Sequence, residues 1–170
     1  GKALAKERKE LHEEVDYYVF LQMIFFEQWK QLSKYAKEQG VSIIGDIPIY
    51  VAMDSADTWA NPELFQLDAQ CRPTAVAGCP PDAFTADGQL WGNPLYRWDV
   101  MARDGYRWWL DRIRASLELF DAVRVDHFRG FESYYAIPYG EVTARNGKWV
   151  KGPGKGLIAA IKQSFPNVQI

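Results

Sequence analysis

Cysteine is nearly missing from this chain: Cys71 and Cys79 are the only two in 170 residues. Two such residues make no disulfide framework, and neither a second closely spaced pair nor nearby histidines complete a zinc site around them, so both read as reduced thiols. An excess of positive charge is missing too. Lys and Arg number 20 against 22 Asp and Glu, a net charge of −2, and no cationic cluster offers the field that a phosphate backbone demands, which sets nucleic acid aside as a partner. Long apolar runs are also absent. The longest, "YYVFLQMIFFEQWK", is cut by Glu27 and Lys30 well short of the roughly 18 residues a bilayer span requires. The opening "GKALAKERKELHEE" is charged throughout, unlike a secretory signal. No membrane partner is expected, and a cytoplasmic location is the default.

What the chain has in quantity is aromatic side chains, 15% of all residues, with seven Trp and nine Tyr. Such rings are either core filler or stacking platforms, and the flat apolar faces of sugars are among the ligands that use platforms. Periodicity sorts some of them. Residues 3 to 14 read as a polar helix and 15 to 39 as a longer one, with Tyr18, Leu21, Phe25, Trp29, Leu32 and Ala36 recurring at steps of three and four as one buried stripe. Gly40 stops it. "VSIIGDIPIYV" follows as a buried strand ending near Gly45 and Asp46, since Pro48 disfavours a regular central strand. From 52 to 104 the pattern breaks into turns, an excursion of the kind that carries function. Helical spacing returns over 105 to 119 at Tyr106, Trp109, Ile113 and Leu117, behind an Asp104 cap. A strand at 121 to 126, an irregular stretch to 154, a short helix over "GLIAAIKQ" and a strand beginning in "NVQI" complete the reading. That alternation is the pattern of a parallel α/β fold.

The strand at 121 to 126 carries the chemistry. Side chains alternate along it, so Arg124 and Asp126 share a face opposite Val123 and Val125. With Arg124 within reach, Asp126 is expected to stay ionised, a state that suits a nucleophile and not a proton donor. A buried ion pair tying two strands together fits the same spacing.

"DAVRVDHFRGF" resembles the nucleophile strand of the α-amylase superfamily, where an Arg stands two residues before the catalytic Asp. Together with "GDIPIYVAMDSADTW" and "GQLWGNPLYRWD", it closely resembles the 4-α-glucanotransferases known as amylomaltases or disproportionating enzymes, over nearly the whole chain. The resemblance implies part of a (β/α)8 TIM barrel, around strands 3 to 5, with a long irregular insertion after strand 3. Residues 1–170 would then be a partial catalytic barrel domain, truncated at both ends, with 52–104 as the loop-rich insertion. It implies that Asp126 is the nucleophile and Arg124 the arginine that orients it. Asp46 would hold donor-side glucose hydroxyls, with a turn or helix cap as its plain alternative. Trp91, on a loop between Gly88 and Gly92, would stack on a glucose ring near the acceptor side, where core packing is the alternative. Gln89 and Asn93 flank it as hydroxyl partners. His127 either bonds a sugar hydroxyl or is structural.

Retaining glycoside chemistry uses two carboxyl groups about 5 to 5.5 Å apart. The family's general acid/base is a Glu expected shortly beyond Ile170; Glu132 and Glu141 do not match its position. The implied activity is transfer of α-1,4-glucan segments to glucose or maltooligosaccharide acceptors, with no cofactor and no metal. The alternatives are an α-glucan hydrolase of the same superfamily or, for these residues as an isolated fragment, a non-catalytic glucan-binding or structural segment. Oligomeric state is not legible in the sequence.

Overall fold

Two short parallel strands, β1 (Ile44–Pro48) and β4 (Ala122–Asp126), set Asp46 beside Arg124 and Pro48 beside Asp126 in the computed structural model, which describes residues 1–168. Burial alternates along both. Gly45, Ile47, Val123 and Val125 face inward, while Asp46, Pro48, Arg124 and Asp126 share the open face. β1 runs to Pro48 instead of ending at Asp46. Proline is tolerated there because it is the last residue of the strand, whose one neighbour among the described residues is β4. Gly45 has a different reason: a Cβ at this position would run into the ring of Phe120, which packs directly on the strand.

The helix before β4, α5 (Arg107–Leu119), buries Trp109 and Ile113. Its spacing is as expected, and Asp104 Oδ1 accepts the Arg107 N–H at 3.2 Å. The last helix, α6 (Lys155–Ser164), adds Leu157 and Ile161 to the same core, where Phe65, Leu95, Tyr96, Met101 and Phe131 also converge.

The stretch expected to be irregular is ordered. Residues 52 to 104 contain the helices α3 (Ala56–Ala60) and α4 (Trp98–Met101), a 3₁₀ turn at Pro62–Leu64, and the strands β2 (Ala75–Cys79) and β3 (Gln89–Pro94). These strands join β5 (Ser133–Pro138) and β6 (Lys148–Lys151), from the second segment read as irregular, in an antiparallel sheet ordered β3-β2-β5-β6. The strands are four to six residues long, carry Gly78, Gly92 and Pro94, and shift register between Val76 and Gly78, which erases the alternation that sequence reading depends on. Val76, Tyr135, Ile137 and Ala144 form a second, smaller core against this sheet.

The amino-terminal helices, α1 (Lys2–Glu10) and α2 (His12–Glu38), are present with a break at Leu11. The buried stripe expected on α2 is not buried. Trp29 and Ala36 are half-covered, while Tyr18, Leu21, Phe25 and Leu32 are exposed. Trp29 accounts for the attachment: its indole N–H donates to the Leu119 carbonyl at 2.9 Å and its ring meets the edge of Phe120. Asn167 lies in a turn and Val168 outside any strand, and the rest of the expected "NVQI" strand falls outside the described residues. Among those residues no helix is long and apolar enough to cross a membrane, and both cysteines are free.

The Gly45 packing is testable. Gly45→Ala forces a methyl into the Phe120 ring and should lower stability by about 1–3 kcal/mol, read as an earlier denaturant midpoint. An unchanged midpoint would show that the ring moves aside freely.

Candidate active site

The β1–β4 register dictates the electrostatics of the open face. Arg124 reaches across the strand pair and holds Asp46 with both arms of its guanidinium, Nε donating to Oδ1 at 2.9 Å and Nη2 to Oδ2. This fork geometry is the strong form of an arginine–carboxylate pair. It holds the Asp46 carboxyl below its usual range, the hydrogen bonds from Arg124 being the main cause. Arg124 is raised in turn, first by Asp46 and to a lesser degree by the field of Asp126. The sequence reading expects Arg124 within reach of Asp126, with a buried ion pair between two strands as the alternative; the guanidinium pairs instead with Asp46, the strand neighbour directly opposite, in an exposed cross-strand pair, and among the described residues Asp126 has no ion-pair partner.

Asp126 opens instead onto a small cleft of about 170 Å³, shared with Pro48, Ile49, Tyr50, Trp91, Asn93 and His127. The strand ends abruptly. His127, at φ 54°, is in the left-handed region, and the chain turns at once into a 3₁₀ turn over Phe128–Phe131. The turn tucks the imidazole under Trp91, edge to face at 4.8 Å between ring centres. Burial pushes the His127 pKa down, with Asp126 opposing and Arg129 adding to the shift. Its Nε2 is shielded from solvent and has no hydrogen-bond partner among the described residues.

Trp91 is on β3, not on a loop. Gly88 and Gly92 do adopt positive φ on either side, at 67° and 81°, but the segment still pairs with β2. Its ring is 37% exposed, enough to present a face to a ligand. Gln89 and Asn93 are both committed locally. Gln89 Oε1 accepts the Trp91 indole N–H at 2.9 Å, which fixes the ring, and Asn93 Nδ2 donates to the Val51 carbonyl at 2.9 Å while lining the cleft. Gln89 is not among the cleft-lining residues.

Tyr50 is the residue that sequence reading missed. It is buried, stacks on Tyr96 at 5.9 Å and lies against Trp91 at 6.3 Å. Burial raises its phenol well above the usual range, so it stays protonated. An aromatic four residues after Asp46, in the run "DIPIYV", was the available signal. A larger groove, about 830 Å³ between α2 and α5, shares no residue with this cleft. Among the described residues no group of three His, Cys, Asp or Glu side chains is placed to hold a metal.

The chain is thus a mixed α/β protein that gathers acidic and aromatic side chains at the carboxyl ends of a parallel strand pair. It belongs to the 4-alpha-glucanotransferase family, whose model matches residues 1–170. The 4-alpha-glucanotransferase of Clostridium butyricum is 51% identical over 98% of this chain and 34% of its own length; that of Aquifex aeolicus is 54% identical over 88% and 31%. The structure of the amylomaltase from Streptococcus agalactiae in complex with acarbose superimposes with a TM-score of 0.96 at 44% identity, over 99% of this chain and 34% of that one. The chain spans about a third of the length of the curated relatives it matches.

The depressed His127 pKa carries a sign. The unfolded histidine takes up its proton near pH 6.5 and the folded one only at lower pH, so stability is full above about pH 6.5 and declines as pH falls through that window. Between pH 7.5 and 5.5 the wild type should lose more of its denaturant midpoint than His127→Asn, a replacement that tolerates the left-handed backbone. Equal losses in both proteins would show that the imidazole titrates normally.

Proposed function

We propose that these residues form part of the catalytic domain of a 4-α-glucanotransferase, which moves α-1,4-glucan segments between chains by a retaining double displacement. β1 and β4 are in this reading neighbouring strands around the third to fifth of a (β/α)8 barrel, and residues 52–104 are the excursion between them. The observation that carries it is the division of labour on the open strand face: Arg124 is locked on Asp46, while Asp126, with no ion-pair partner among the described residues, stands at the mouth of an aromatic-walled cleft. The high structural similarity to an amylomaltase solved with acarbose supports a glucan as the ligand.

In the reaction, the Asp126 carboxylate attacks the anomeric carbon and the glycosidic oxygen departs with a proton from a second carboxyl group, contributed from outside the described residues. The result is a β-linked glycosyl ester on Asp126. The 4-hydroxyl of an incoming glucose or maltooligosaccharide then displaces the carboxylate, giving up its proton to the second group and restoring an α-1,4 bond. Arg124 fixes Asp46, whose outer lone pairs face sugar hydroxyls. His127 Nε2, kept neutral by burial, takes a hydroxyl as its partner, and the exposed face of Trp91 covers a sugar ring. Transfer prevails over hydrolysis because rings of this kind hold the acceptor and displace water.

Two measurements on the full-length protein test this reading. Maltotriose should yield glucose together with a ladder of longer maltodextrins, whereas glucose and maltose alone would make the protein a hydrolase. Asp126→Asn should lower turnover by about 10⁴-fold or more, the scale seen when a covalent nucleophile is removed. Near-normal turnover would reduce Asp126 to a structural role.

A further inference from the structure

After Pro48 the chain leaves the β1 ladder, and Ile49 and Tyr50 line the cleft. Among the described residues no strand pairs with this stretch. Three side chains take over. The Ile49 carbonyl accepts the buried Tyr96 hydroxyl at 2.8 Å and Arg112 Nη1 at 3.3 Å, and the Val51 carbonyl accepts Asn93 Nδ2 at 2.9 Å. Asn93 lines the cleft, but Tyr96 and Arg112 do not.

Arg112 is unusual in its surroundings. It is half-buried on α5 with no carboxylate within salt-bridge distance among the described residues. Asp111, beside it in sequence, is engaged by Arg107 and Arg114. The Arg112 guanidinium lies instead over two indole faces, 5.0 Å from the Trp109 ring centre and 5.5 Å from that of Trp108, with a main-chain carbonyl at its tip. Planar and weakly hydrated, a guanidinium suits that slot better than an ammonium. Trp109 is fully buried, so the cation rests on a fixed platform.

We propose that Arg112, with Tyr96, is a positioning residue for the active site, acting through the Ile49 carbonyl. The path from that carbonyl to the reacting groups is short. A Cβ on Gly130 would stand 2.7 Å from Ile49 Cδ1, 3.3 Å from His127 Cδ2 and 3.4 Å from the Tyr50 hydroxyl, so these three side chains all border the same glycine. A shift of Ile49 therefore moves Tyr50 and His127, both neighbours of Asp126 in the cleft. Misplacements of about 1 Å at a site of this kind cost on the order of 10²-fold in rate.

The inference rests on the transferase reading, and the experiment separates the two. In the full-length protein, maltotriose disproportionation is measured for the wild type, Arg112→Met, Arg112→Lys and Tyr96→Phe, with thermal unfolding recorded for each. Arg112→Met should lower kcat by about 10- to 100-fold with KM changed by less than about threefold; Arg112→Lys should recover part of the loss, since one ammonium donor still reaches the carbonyl. Tyr96→Phe deletes only a hydroxyl, so it decides the matter if Arg112→Met does not fold: kcat should fall several-fold. A folded Arg112→Met with wild-type kcat, a Tyr96→Phe with wild-type kcat, or equal losses in the Lys and Met variants would overturn the proposal. A wild type that does not disproportionate maltotriose would instead overturn the transferase reading itself.

Discussion

The forked pairing of Arg124 with Asp46 is the constraint from which the rest of the site follows. Parallel register puts the two residues opposite one another, and the guanidinium can satisfy only one carboxylate with both arms. Because Asp46 takes it, Asp126 two residues further along is left to face the cleft. An exposed ion pair of this kind adds little to stability. Its value lies in direction: it ties the open ends of two strands together and assigns different electrostatic roles to two acids that alternation alone makes look alike.

Much of this was legible in the sequence. The β4 alternation of Val123 and Val125 against Arg124 and Asp126 reads directly from the letters, as do the core positions Trp109 and Ile113 on α5, because one buried face with a fixed period leaves a pattern. The antiparallel sheet was not legible. Its strands are short and punctuated by glycine and proline, the β2–β3 register shifts, and the central β2–β5 pairing spans some sixty residues, so no local window contains the whole signal. The partner of Arg124 was missed for a related reason. Spacing along one strand reports which side chains share a face, but the register with β1, 78 residues away, decides which of them meet.

The α2 stripe shows the converse. Its helical period was real and its helix forms, yet the side chains are open over most of its length. Periodicity reports that a face is built for burial; what covers the face is a separate matter, settled by elements elsewhere. Trp29 meets the end of α5 through its indole N–H and Phe120 through its ring, and Lys37 adds an ion pair to Asp121 at 3.3 Å. The abundant aromatics likewise divide by position. Trp109, Tyr96 and Phe131 fill the core, while Trp91, on an edge strand, stays partly exposed.

The left-handed backbone at His127 has a consequence for how this stretch can vary over generations. A replacement there is filtered twice: by a φ of 54° that β-branched residues cannot adopt without strain, and by the edge-to-face contact with Trp91. Either filter alone leaves several residues admissible, but together they leave very few. A substitution at this position must therefore meet a backbone demand and a packing demand at once.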